Sequence, residues 1–368
     1  MVNQYDIGVL SQVYDPPLAI GTGFNGWTST IRRWKNFLYV CGNFTQYNGV
    51  ARNYICRLHL DGTLDTDFVP VTLNGNVVHM DVDPATGYVY MYGGFTTIDG
   101  NSSPNIGSLT NTGAWNSTFN VGLGTVYNYG GIAFHNDTIY LTGGFTSYRG
   151  TAANRVVGIN LDGTIKAGFN YGTGFNNSTY TGNMANGDFL IGGLYTTYQG
   201  ASKTYLCRIA PDGSARSGYG GIMSGRVYAA CYDERYDNCY AVSYASTSFK
   251  RIKNDGTNDT AFAAKSVGGY PQSLCAIGGN KVLIAGPSSY DGYAKGYLYC
   301  VNADGTRNTA FDISAGGANK SGSYGWNIMC YQPLVNKVYY GGQLTSYNGT
   351  AKNYLVKINT LTGALDMA

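Results

Sequence analysis

The residues of this 368-residue chain that could do acid–base or metal chemistry are few: three histidines and a scatter of carboxylates. A metal site draws its ligands together through short spacings such as H-x-x-H, and a general base needs a nucleophile beside it. His59, His79 and His135 show neither pattern, so ordinary strand or surface positions are expected for them. Asp61, Asp65 and Asp67 alternate like calcium-loop ligands. The glycine and closing glutamate of an EF-hand are missing, however, and turn capping is the simpler role. Gly21-x-Gly23-x-x-Gly26 satisfies the dinucleotide string. That fingerprint works only between a strand and a helix N-terminus. Here a β-rich run follows, and Gly172-Thr173-Gly174-Phe175-Asn176 copies most of the string, which makes it a repeated turn. No G-x-S-x-G elbow is present. No cofactor and no metal are expected, and the chain is read as a non-enzyme.

Aromatic residues offer binding chemistry instead. Tyr47, Tyr148, Tyr198, Tyr290 and Tyr347 recur at one place in a repeated motif. They could form sugar-stacking platforms, but because they travel with a Thr and a Gly of the same motif, packing is the favoured role. Binding is expected where the repeat is broken, since such segments vary without disturbing the scaffold. Two stretches qualify: Asn176 to Asn183, with Tyr180, and Asp312 to Asn327, with Lys320, Tyr324 and Trp326. These four are the candidate binding residues.

The elements that must position them are strands. The chain holds 53 Gly and 34 Tyr but only 12% charged residues, against about 25% in ordinary proteins. A turn glycine recurs at Gly62, Gly113, Gly163, Gly213, Gly256, Gly305 and Gly363. Asp precedes it at Asp61, Asp162, Asp212, Asp255 and Asp304, the strongest hairpin dipeptide after Asn-Gly. Six residues after it stands an aromatic: Phe68, Phe119, Phe169, Tyr219, Phe262 and Phe311. Upstream, a strand closes on Gly-Gly or a variant, as in Val89-Tyr90-Met91-Tyr92-Gly93-Gly94, and Phe-Thr-x-Tyr-x-Gly follows. The fifth unit, around Ala241-Val242-Ser243-Tyr244, has neither the glycine pair nor a one-glycine variant and runs short.

Each unit of about 50 residues holds three or four short antiparallel strands and no helical period. Repeats of that length and content indicate propeller blades. The expected fold is all-β: a single seven-bladed β-propeller domain over 1–368. Its blades fall near 21–68, 69–119, 120–169, 170–219, 220–262, 263–311 and 312–368. Residues 1–20 form an N-terminal segment, and Ile7 to Tyr14 is the expected ring-closing strand.

These motifs closely resemble the delta-60 repeat. The stretch Cys41 to Phe68 matches its pattern nearly throughout, and the similarity runs from about residue 20 to 366. The resemblance implies a propeller strongly and a function weakly. Such repeats occur in secreted bacterial surface proteins and in proteins of tailed bacteriophages.

Net charge is +3 with no basic stripe, so no nucleic-acid partner is expected. Cys41, Cys56, Cys207, Cys231, Cys239, Cys275, Cys300 and Cys330 show no C-x-x-C pair, and reduced buried thiols are expected. The start, Met1-Val2-Asn3-Gln4, has neither a basic nor an apolar export region. No run approaches the ~18 apolar residues of a membrane span. The leading expectation is therefore a structural, non-enzymatic propeller of a tailed-phage virion, assembled in the host cytoplasm in several symmetric copies. It would be tail-associated or attached to the capsid, contacting other virion proteins, a host-surface glycan or protein receptor, or both. The alternatives are a bacterial surface or periplasmic binding module and a glycan-cleaving propeller enzyme, whose paired carboxylates sequence would not expose.

Overall fold

The computed structural model describes residues 14–125, 130–244, 248–294, 296–313, 318–320 and 327–367. Among them every regular element is a strand. Among the described residues, seven of the eight antiparallel three-stranded sheets share one plan. Their middle strands are Phe37–Gly42, Val89–Gly93, Thr138–Gly143, Asp188–Gly193, Asn238–Ser243, Lys281–Tyr290 and Lys337–Gly342. In repeat 4 the order is Thr179–Ala185, Asp188–Gly193, Leu206–Ile209. The first two are joined by Asn186-Gly187, both at positive φ, as a type I′ turn requires.

The middle strands Thr138–Gly143 and Asp188–Gly193 are buried along their whole length because both of their faces meet another sheet. Side chains alternate between the faces, so successive residues enter different cores. Ile139 and Leu141 pack with Tyr90, Tyr92 and Phe119 of repeat 2. Between them in sequence, Tyr140 packs with Phe189 and Ile191 of repeat 4. Leu190 in turn joins Cys239 and Ala241 of repeat 5. Each fully buried Leu or Ile here contributes about 1.5–3 kcal/mol.

The packing divides the chain into two compact units, one of residues 1–70, 76–78 and 263–368, the other of 71–75 and 79–262. Within the first, the two ends of the sequence meet. Tyr339 and Leu355 of the last repeat pack with Leu18, Phe24, Leu38 and Val40 of the first. Thr28 Oγ1 donates to the Tyr354 carbonyl at 2.9 Å and accepts the Gly342 N–H at 2.8 Å. Leu18 bridges Met367 in parallel, its N–H donating to the Asp366 carbonyl at 3.2 Å. Lys357, buried, binds the Pro16 carbonyl at 2.8 Å and the Asp15 carboxylate. Of the expected closing strand, residues 7–13 lie outside the described residues. Among the described residues, Asp15, Pro16 and Leu18 contact the last repeat.

One turn is built alike in five repeats. The carboxylates of Asp61, Asp162, Asp212, Asp255 and Asp304 each accept the N–H and hydroxyl of the Thr or Ser two residues on, at 2.7–2.9 Å. The following glycine takes φ between 84° and 89° in all five. Its carbonyl accepts the hydroxyl of a fully buried tyrosine in four of them: Tyr47 at 2.5 Å, Tyr148 at 2.7 Å, and Tyr198 and Tyr290 at 2.6 Å. Tyr347 does the same to Gly363 at 2.6 Å.

Candidate functional site

The five motif tyrosines are thus enclosed, hydroxyls included, and present no ring to a ligand. Other motif residues are also held by the scaffold. Asp65 lies 2.5 Å from Arg57 Nε, and both are buried. Its other oxygen accepts the Asp67 N–H at 2.9 Å. Arg57 rests on Phe37 and Phe68, with ring centroids 4.6 and 5.2 Å away. Asp61 belongs to its turn. Among the described residues no group of three His, Cys, Asp or Glu side chains could hold a metal ion. Burial pushes the His135 pKa down, with the nearby Asp188 charge working against it. None of the eight cysteines forms a disulfide. Burial raises the thiol pKa of Cys41 and of Cys300 to about 11, far from a reactive thiolate.

Asn176 to Asn183 is not the irregular insertion that its sequence suggests. Asn176 Oδ1 caps the Thr196 and Thr197 N–H groups at 2.9 and 3.0 Å, and the strand Thr179–Ala185 begins directly after it. The sequence looks irregular because the strand carries one extra residue. Thr179 pairs with Gly193 and Thr181 with Gly192, which leaves Tyr180 as a bulge. In the second candidate stretch, residues 318–320 form a strand on Leu344–Tyr347, with Lys320 opposite Leu344. Tyr324 and Trp326 lie outside the described residues.

Tyr180 has company that its sequence does not announce. In repeat 5 Val227 pairs with Ser243 and Ala229 with Val242, so Tyr228 is a bulge at the same place. The first strands Thr179–Ala185 and Val227–Asp233 lie side by side, tied by Asn183 Nδ2 donating to the Ala230 carbonyl at 2.9 Å. A bulge re-aims its side chain, and the two rings stack at 4.5 Å with 3° between their planes. Tyr244 joins them, its ring 5.1 Å from Tyr228. Its N–H donates to the Arg226 carbonyl at 2.9 Å, which sets these two residues across from each other. The Arg226 guanidinium accordingly lies 3.9 Å from the Tyr244 centroid and 5.3 Å from that of Tyr228. All four residues are half-buried. Burial raises the Tyr228 pKa, and Arg226 opposes that rise.

Repeat 5 is the short repeat in sequence. Five residues, 244–248, join its second and third strands, where repeats 1 and 4 use twelve. The repeat bulge of the first strand occurs in repeat 1 as well, at Ser29, but that small side chain is buried and donates to the Val77 carbonyl at 2.8 Å. Tyrosine at the bulge in two adjacent repeats makes the difference.

Comparison with known proteins fits this construction. Residues 38–68, 185–215 and 280–311 match the family described as "Domain of unknown function (DUF5122) beta-propeller". The chain is built of β-propeller repeats. The three matched segments each run from a middle strand through the Asp-Gly turn, where the tyrosine and turn bonds above are made. Among solved structures, the computationally designed Ika8 protein aligns with a TM-score of 0.57 and 14% identity, over 95% of this chain and 89% of that one. A streptogramin B lyase structure aligns with a TM-score of 0.50 and 14% identity, over 91% of this chain and 95% of that one. At such identity the likeness is one of fold. No curated protein matches the sequence. Among the described residues no helix is long and apolar enough to cross a membrane.

Proposed function

We propose that this chain is a seven-bladed propeller closed by its own ends, which serves without catalysis as a binding module of a tailed-phage particle. In this reading it contacts a neighbouring virion protein, a host-surface glycan, or both. The carrying observation is a division of labour among polar and aromatic side chains. Those of the repeat motif are bound within the scaffold, while Tyr180, Arg226, Tyr228 and Tyr244 stay half-exposed where the repeat departs from its pattern. Several weak sites of this kind on a multi-copy particle would give avidity without a deep pocket. The phage setting draws its support from the resemblance of the repeats to those of tailed-phage proteins, and from a surface poor in charge.

Closure is supported by the way the last repeat packs on the first. Val338 and Tyr340 enter the core shared with repeat 6, and Tyr339 between them enters the core shared with repeat 1. That is the alternation seen at Tyr140 and Leu190. A closed chain of this length should scatter X-rays with a radius of gyration of about 21 Å. A clearly larger value would mean an open arc. The biological reading is tested by mass spectrometry of purified particles from the source. Stoichiometric recovery with capsid and tail subunits is expected, and its absence from particles would overturn the virion assignment.

A further inference from the structure

We infer that the Tyr180–Arg226–Tyr228–Tyr244 group is a subsite for a carboxylate-bearing sugar; this rests on the glycan-binding arm of the function proposed above. Three buried arginines of this protein lie on aromatic rings, and each meets a carboxylate of the same chain. Arg57 on Phe37 and Phe68 faces Asp65. Arg251 lies 5.3 Å from the Phe262 centroid and 2.7 Å from Asp259. Arg208 lies near the rings of Tyr219 and Tyr232, and 2.8 Å from Asp188. In each, aromatic faces support the flat guanidinium and an internal carboxylate meets it. The half-buried Arg226 and Arg307 have aromatic support at 3.9 and 3.8 Å, but among the described residues no carboxylate of this chain pairs with either; Arg226 differs in lying beside the stacked pair Tyr180–Tyr228.

A guanidinium on a ring face keeps its N–H edge for an acceptor, and its fork matches the two oxygens of a carboxylate. A carboxylate partner for Arg226 would then come from a ligand. The neighbouring surface selects what else that ligand carries. Tyr180 and Tyr228 cover each other's inner faces, so the stack would meet the C–H face of a pyranose with the outer face of Tyr180, which Tyr228 supports from behind. A sugar acid presents both features on one ring, with its carboxylate beside a face that can lie on tyrosine. Both tyrosines are held by strands rather than by a loop, so the site is formed before the ligand arrives.

The test uses the full-length protein with the methyl glycosides of N-acetylneuraminic acid and glucuronic acid, each beside its carboxyl methyl ester, in ligand-observed NMR. The ester keeps the ring and removes the charge. One of the acids should bind the wild type at about millimolar Kd, a typical single weak contact. Its ester should bind at least about tenfold more weakly, equivalent to losing one charge-assisted pair. Arg226→Gln should lose the acid to the same extent while keeping the wild-type melting temperature, and Tyr228→Ala should weaken acid and ester together. Equal binding of acid and ester, or unchanged binding by Arg226→Gln, would overturn the inference and leave a neutral-glycan reading standing. Displacement of the sugar by acetate at equal concentration would overturn the part assigned to the sugar ring. If neither acid binds while neutral glycosides do, the inference falls alone. If neither acids nor neutral glycosides bind, the glycan arm of the proposed function falls with it.

Discussion

Replacing Asp188 by alanine is expected to lower the stability of the protein by about 3–5 kcal/mol, the usual cost of stranding one member of a buried ion pair. Asp188 opens the middle strand of repeat 4 and is 4% exposed, as is its partner Arg208. Arg208 Nε lies 2.8 Å from one carboxylate oxygen. Its Nη2 donates to the Ala185 carbonyl at 2.9 Å, and Nη1 reaches Asn254 and the Tyr219 hydroxyl. Without Asp188 the guanidinium would keep these neutral acceptors and lose its only buried counter-charge among the described residues. Arg216 also holds Asp188, at 2.7 and 2.9 Å, but its side chain is 51% exposed. Arg216→Ala should therefore cost no more than about 1 kcal/mol, as surface pairs do. Urea unfolding of the two variants beside wild type decides the matter. Similar losses for both would show that the buried pair carries no special weight.

Gly213→Ala should cost about 2–5 kcal/mol, because two separate penalties meet at one atom. Gly213 sits at φ +85°, where a side chain is strained by about 1–2 kcal/mol. The added Cβ would also stand 2.4 Å from the Asn170 carbonyl oxygen and 2.7 Å from its carbon. That segment cannot simply withdraw, since the Asn170 N–H donates to the Asp212 carbonyl at 2.7 Å and the Asn170 carbonyl accepts from Gln199 at 2.6 Å. Overpacking of this kind costs about 1–3 kcal/mol. Gly200 separates the two penalties. It has a similar φ, +79°, but a Cβ there would meet nothing within 4 Å. Gly200→Ala should lose only about 1–2 kcal/mol. Equal thermal shifts for the two variants would mean that the clash is absorbed by small movements.

Strand positions were legible in the sequence because alternation, Asp-Gly turns and glycine pairs are local signals. Tyr148 shows where that reading stops. Its company with Thr146 and Gly150 marks it as part of a motif, but nothing in the string says that its hydroxyl reaches the carbonyl of Gly163, fifteen residues on. Tyr180 could be singled out as an aromatic in an irregular stretch. Arg226, Tyr228 and Tyr244 could not, because they stand in the one repeat whose motif has decayed. Counting register would have found them. Setting Val227 beside Thr179 and Thr28 makes Tyr228, Tyr180 and Ser29 equivalent extra residues, and adjacent repeats then bring two tyrosines together. The buried pair Arg208–Asp188 was hidden for another reason. In repeats 1 and 5 the acid follows its arginine by eight residues, whereas here it precedes the arginine by twenty.

The bond from tyrosine to turn glycine, made five times over, gives the molecule its own set of replicates. A Tyr→Phe exchange removes the same hydroxyl at Tyr47, Tyr148, Tyr198, Tyr290 or Tyr347, with donor and acceptor geometry almost constant and only the surroundings changed. Differences among the five losses would therefore report the neighbourhood rather than the bond. Read in turn, the five losses would act as gauges of which repeats hold their turns stiffly and which give.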